Sequence, residues 1–205
     1  MSTPIDLRKT ELISPNQLLM PEIYRKDLKG ILIPEGLIHS RISMLAEEIS
    51  RKYSPQEILA ICVLDGAIKF YTELLYSEQM WAPFEIQTLK AKSYVGTESQ
   101  GEIDFQGFDY SQVQGRVVIV VEDIIDTGNL LNQTLKRMKP YEPASLEVAC
   151  LLDKPERRHP GIDVIVDYCG FIIPNEFVVG YGLDYNNHYR GLRHLCVLKE
   201  EVIGK

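Results

Sequence analysis

Two short runs, Ile58-Leu59-Ala60-Ile61-Cys62-Val63-Leu64 and Val117-Val118-Ile119-Val120-Val121, constrain the fold of this chain most strongly. Each is apolar on both faces that alternate along a strand, and each is too short for a helix between its flanks. Strands of that kind are buried on both sides, as in a parallel sheet with helices over both faces. The segments around them agree. Ile38, Ile42, Leu45 and Ile49 recur at spacings of four and three, which predicts a helix from about residue 36 to 53. After the turn Asp65-Gly66-Ala67, Ile68, Tyr71, Leu74 and Leu75 predict another, and a third is expected over 130–139, closed by Pro140.

Further strands are expected over about 84–92, 146–152, 164–167 and 177–181. The polar stretch 93–115, holding Gly96, Gly101 and Gly107, reads as a lid whose arms pair loosely. The first thirty residues, punctuated by Pro4, Pro15 and Pro21, read as an arm with little regular structure. Strand alternating with helix makes the expected fold class α/β, a mainly parallel sheet flanked by helices. In such sheets ligands bind beyond the carboxyl ends of the strands, so the turns after Leu64, Val121 and Leu152 are the places to search.

At 205 residues, 45% hydrophobic and 25% charged, the chain has enough apolar material for a real core without disulfides or metals. No stretch approaches 18 consecutive apolar residues, and the start lacks the basic and apolar regions of a secretory signal. With 22 basic and 29 acidic residues, the net charge of −7 argues against nucleic acid and anionic membranes as partners. Cys62, Cys150, Cys169 and Cys196 form no C-x-x-C pair. They read as buried free thiols in a reducing compartment, the cytoplasm. His39, His159, His188 and His194 match no ligand spacing, and Trp81 is expected in the core.

The turn after Val121 is Glu122-Asp123-Ile124-Ile125-Asp126-Thr127-Gly128-Asn129, with three carboxylates within five residues. Adjacent acids at a strand end suit the two hydroxyls of a ribose or a bound Mg²⁺. Asp126-Thr127-Gly128 then opens a helix whose free N–H groups suit a phosphate. Together they describe a ribose 5-phosphate pocket. The plain alternative is a solvated acidic turn in which Asp126 or Thr127 only caps a helix.

The segment VVIVVEDIIDTGN resembles the signature of type I phosphoribosyltransferases, in the form typical of hypoxanthine(-guanine) phosphoribosyltransferases. ICVLDGAIKF, LKAKSY, LLDKPERR and DYCGFIIPNEFVVGYGLDYNNHYRGL agree in order and spacing, so the resemblance covers about 31–197. It implies the type I phosphoribosyltransferase fold over 1–205, with a core of about 33–175 and a small hood subdomain from about 1–30 and 176–205. It also implies the reaction: transfer of a 5-phosphoribosyl group from phosphoribosyl pyrophosphate to a 6-oxopurine, with Mg²⁺ as cofactor and a homo-oligomer, dimer or tetramer, as the assembly.

Residue roles follow from the same resemblance. Glu122 and Asp123 would hold the ribose hydroxyls, and Asp126 would be the general base beside N7 of the purine. Ile125, Asp126, Thr127, Gly128, Asn129 and Leu130 would wrap the 5-phosphate. Leu64, Asp65 and Gly66 would face the pyrophosphate, with Arg190 on the leaving group and Ser93 and Tyr94 on the lid. Lys154 would donate to the exocyclic O6, Phe177 would stack on the purine, and Val178 would read its edge. Asp184 would help hold the Mg²⁺ at the purine and pyrophosphate, with Glu122 and Asp123 as further metal candidates.

Two positions depart from the family pattern. Leu130 stands where a threonine usually bonds the phosphate. Asp65 stands where many relatives carry lysine, and its side chain is expected to turn away or pair with Arg158. The same motifs would also fit a xanthine-preferring transferase or a non-catalytic nucleotide-binding regulator.

Overall fold

The double-sided burial of the two apolar runs is met by helices on both sides. The computed structural model describes residues 2–93 and 103–204. The chain forms β1 (Ile5–Asp6), α1 (Glu22–Arg25), β2 (Leu28–Ile33), α2 (Glu35–Tyr53), β3 (Ile58–Leu64), α3 (Ile68–Leu75) and β4 (Phe84–Ser93). It continues through β5 (Ile103–Gln106), β6 (Val117–Ile125), α4 (Asn129–Met138), β7 (Ser145–Asp153), β8 (Tyr168–Ile172), β9 (Val178–Val179) and β10 (Leu195–Leu198). The main sheet has the order β1-β8-β7-β6-β3-β4-β5, all parallel except for the β4–β5 pairing.

Alternation along β6 sorts the core. Val117, Ile119 and Val121 pack with Ile38, Ile42 and Leu45 of α2 and with Phe70 and Leu74 of α3. Val118 and Val120 pack with Leu131 and Met138 of α4 on the opposite face. The apolar run is thus buried on both sides because each face has its own helical cover.

Strand order reverses between the parallel neighbours β3 and β6: β3 is followed outward by β4, whereas β6 is followed by β7 on the other side. The β3–β6 ladder ends at Cys62 and Val121, and beyond it the two strands part. That is the crevice where an open α/β sheet accepts a ligand. A second, antiparallel sheet of β2, β10 and β9 has its own apolar cluster around Leu28, Ile31, Val179 and Cys196. Its strand β9 brings Val178 to the crevice.

Several expectations need correction. The amino-terminal arm is not among them: within residues 2–30 regular structure is confined to the two-residue β1, which pairs with β8, the four-residue α1 and the start of β2, which pairs with β10. The strand expected over 164–167 lies instead over Tyr168–Ile172. Val164 and Val166 pack beside the α4 cluster, while Asp167 exchanges hydrogen bonds with the Val148 backbone. Only Val178–Val179 of the run 177–181 is strand. Trp81 is 49% exposed and is not a core residue. The segment expected as a lid does have paired arms, Lys90–Ser93 against Ile103–Gln106. Tyr94 lies outside the described residues.

Candidate active site

Where β3 and β6 part, their turns meet at close range. A Cβ at position 66 would lie 1.9 Å from Asp123 Oδ2, so only glycine lets the turn after β3 approach that carboxylate. The Leu64–Asp65 peptide is cis. Gly66 and Asp123 share a cavity of about 350 Å³ with Asp65, Asp126, Lys154, Phe177, Val178, Asp184 and Arg190. Ile124 and Leu183, which motif reading did not single out, complete its wall.

The other side of the acidic turn faces a second cavity of about 180 Å³, lined by Glu122, Ile125, Thr127, Gly128 and Leu130. Ile124 and Asp126 border both spaces. Leu64 and Asn129 line neither; Leu64 ends β3 behind the turn, and Asn129 begins α4. Gly128 takes a left-handed φ of 78° and offers no side-chain cap; the Asn129 N–H reaches the Thr127 hydroxyl at 3.4 Å, which leaves the N–H groups that follow it in the first turn of α4 to an anion. The turn is tied down from below. The Arg158 guanidinium donates to Ile125 O and Asp126 O at 2.8 Å each, and His159 N donates to Thr127 O at 3.0 Å.

Glu122 and Asp123 are both buried. Burial, then the adjoining Asp123 carboxylate, raise the Glu122 carboxyl well above the usual range. Burial also raises Asp123, opposed by hydrogen bonds from Glu122 and the Ile124 N–H and by the charge of Arg190. Glu122 Oε2 is buried without a hydrogen-bond partner among the described residues. Such an atom costs stability unless a ligand satisfies it.

Asp126 Oδ1 accepts from Arg157 Nε at 2.9 Å, and its Oδ2 lies 4.0 Å from Lys154 Nζ. Lys154 is buried and donates to Glu176 O at 2.8 Å. Burial lowers its pKa, the Asp126 carboxylate opposing. Phe177 is 39% exposed and meets Tyr185 edge-on, with ring centroids 5.3 Å apart. An amine and an exposed aromatic face thus converge with a carboxylate, a donor set and a platform for a planar heterocycle. Arg157 was missed although it lies three residues from Lys154; only the short helical turn Pro155–Arg157 returns it to Asp126.

Asp184 Oδ1 is ion-paired with Arg190 at 2.8 Å, and its Oδ2 accepts from Asn187 N at 2.8 Å. Arg190 also donates to Gly182 O at 2.7 Å. The Asp65–Arg158 pairing does not occur. Arg158 is engaged by Asp153 and the two turn carbonyls, while Asp65 stands exposed on the cavity wall with no ion pair among the described residues. Ser93 ends β4, paired with Ile103.

Comparison with known proteins gives a consistent result. Residues 35–186 match the model of the phosphoribosyl transferase domain. The hypoxanthine-guanine phosphoribosyltransferase of Rattus norvegicus is 39% identical over 189 residues, 88% of this chain and 86% of the relative. That of Homo sapiens is 38% identical over the same shares. The crystal structure of a hypoxanthine phosphoribosyltransferase from Staphylococcus aureus aligns with a TM-score of 0.83 at 33% identity, covering 91% of this chain and all of that one.

Proposed function

As this chain belongs to the phosphoribosyltransferase family, we propose that it transfers the 5-phosphoribosyl group of phosphoribosyl pyrophosphate to hypoxanthine and guanine, a purine-salvage reaction giving IMP or GMP and pyrophosphate. The observation that carries this reading is the single cavity joining Lys154, Phe177 and Asp126 to Asp123 and Arg190. It places groups suited to a purine within one molecule's reach of groups suited to a sugar and its leaving group.

A bond forms between a purine nitrogen and C1 of the ribose as the C1–O bond to pyrophosphate breaks, its electron pair leaving with pyrophosphate. Asp126 takes the purine proton at N7. Lys154 is fixed by Glu176 O and directs its remaining protons to the O6 acceptor of the base. Adenine presents a donor there and would leave the buried amine unpaired, which favours 6-oxopurines. Phe177 stacks on the ring and Val178 reads its edge. Glu122 and Asp123 take the ribose hydroxyls, and the orphaned Glu122 Oε2 gains a partner when one binds. The amino end of α4 holds the 5-phosphate, and Arg190 meets the leaving group.

The donor set suits Mg²⁺. Asp184, Asp123 and Glu122 offer hard oxygens, and the described residues contain no cluster of three or more ligands able to hold a metal alone. That fits an ion bound by one or two carboxylates together with substrate phosphates. When bound, it supplies neutralisation of the pyrophosphate charge. The antiparallel sheet serves as the hood over the crevice. The four buried free cysteines fit a reducing compartment such as the cytoplasm. Assembly into a homo-oligomer of two or four chains rests on family membership.

Incubation with Mg²⁺ and phosphoribosyl pyrophosphate plus hypoxanthine, guanine, xanthine or adenine tests the reading. Nucleotide is expected from the first two. No product from either, or product from xanthine or adenine alone, would overturn it.

Two substitutions report on the departures from the family pattern. Leu130 puts an apolar side chain on the phosphate cavity, so Leu130→Thr is expected to restore a hydrogen bond to a charged group and lower KM for phosphoribosyl pyrophosphate about tenfold. An unchanged KM would mean that another donor serves there. Asp65→Asn removes an unpaired carboxylate facing a polyanion. The same KM should fall a few-fold, corresponding to about 1 kcal/mol for an exposed charge. No change would place Asp65 beyond reach of the pyrophosphate.

A further inference from the structure

Behind the wall formed by Gly66 and Leu183-Asp184 lies a group of charges that the reaction leaves unused. Helix α3 starts two residues after Gly66 and carries Lys69 and Glu73 one turn apart. Glu73 Oε1 accepts from Lys69 Nζ, and Glu73 Oε2 accepts from the Tyr181 hydroxyl and lies 3.1 Å from His39 Nε2 on α2. Lys69 Nζ also sits 4.5 Å from the centre of the Tyr181 ring. One carboxylate therefore joins three elements.

Tyr181 is fully buried and holds a left-handed φ of 53°, a conformation a bulky side chain adopts only when its surroundings impose it. Its N–H donates to Leu192 O at 2.7 Å, so ring and backbone are both anchored. The next residue, Gly182, backs directly onto the Gly66 turn: a Cβ there would lie 2.5 Å from Gly66 O. Gly182 O in turn holds Arg190, which holds Asp184. The chain of contacts runs from Glu73 through Tyr181 and Gly182 to two residues of the cavity wall, with Lys69 bracing the same ring from α3.

We propose that Glu73 is a positioning residue, which sets the width of the pyrophosphate end of the cavity by clamping Tyr181 to the helix that follows the Gly66 turn. It touches no substrate. The inference rests on the phosphoribosyl-transfer reading and deepens it. A purely structural ion cluster would stabilise the α2–α3 junction without preference for either substrate, whereas a clamp acts on one end of the cavity.

The test compares Tyr181→Phe, which removes only the hydroxyl, and Glu73→Gln, which keeps the shape but removes the charge and cannot accept from Lys69 and the Tyr181 hydroxyl together. Each is expected to raise KM for phosphoribosyl pyrophosphate about tenfold, as a displacement transmitted to the site would. KM for hypoxanthine should stay within about twofold, and the double variant should be no worse than the poorer single one. Calorimetric binding of inorganic pyrophosphate with Mg²⁺ should weaken in parallel. Equal changes in both KM values, or a lowered Tm with both KM values unchanged, would overturn the clamp while an active wild type leaves the enzyme reading intact. A wild type that makes no nucleotide would overturn both.

Discussion

Asp126→Asn should lower kcat for hypoxanthine about 10²–10⁴-fold, the range expected when a general base is removed. KM for phosphoribosyl pyrophosphate should change little. The substitution is conservative where it must be. Asparagine keeps an oxygen for Arg157 Nε, now 2.9 Å from Asp126 Oδ1, and the Arg158 bonds that fix the turn go to backbone carbonyls and are untouched. What disappears is the ability to accept a proton. Steady-state kinetics with both substrates varied separates these effects, because loss of a group acting only in the transition state appears in kcat rather than in KM. If KM rose while kcat held, Asp126 would be a binding group and the proton would need another acceptor. Lys154, 4.0 Å away, is a donor fixed by Glu176 O and could not take that role while charged.

How much of this was legible in the sequence depended on the range of the interaction. The apolar runs of β3 and β6 revealed their sheet because burial on both faces is written locally, residue by residue. Helix α2 was readable from its apolar spacing within one residue of its actual start. Strands β1 and β2 were not, since each is completed by a partner far along the chain, as Ile33 is by Leu195. β8 was displaced because Gly170 interrupts its apolar run. That glycine is demanded by Leu151 O, which would lie 2.6 Å from a Cβ, a constraint visible only once β7 is alongside. At the site, the acidic turn was legible from its own residues, and Lys154 only through the family resemblance. Arg157 was hidden by the short helical turn that brings it back, and the Glu73–Tyr181 contact by the separation of 108 positions between its members. Of the two expectations for Asp65, the pairing with Arg158 failed for a related reason: Arg158 is already claimed by Asp153 and two carbonyls, a competition that charge alone does not disclose.

Gly66→Ala should reduce kcat/KM for phosphoribosyl pyrophosphate by more than about 100-fold. The added carbon would lie 1.9 Å from Asp123 Oδ2 and 2.9 Å from Asp123 Cγ. Neither side can yield cheaply. Asp123 is buried, and its Oδ1 accepts from Ile124 N at 2.8 Å. Behind the turn, Gly66 O already abuts Gly182 so closely that no side chain fits between them. Relief must come from rotating Asp123 out of the proposed ribose site or from moving the turn proposed to face the pyrophosphate, and either would disrupt the geometry that reading requires. Overpacking of this kind also costs about 1–3 kcal/mol of stability, so a lower Tm alone would not distinguish a damaged site from a damaged fold. The double variant Gly66→Ala, Asp123→Ala does. Removing the carboxylate relieves the clash and should return Tm to that of Asp123→Ala, while activity stays lost because the ribose contact has gone with it. A Gly66→Ala enzyme with unaltered kcat/KM would show that the turn and Asp123 do not need their close approach. The acidic pair would then have to serve the sugar from a different arrangement of the crevice.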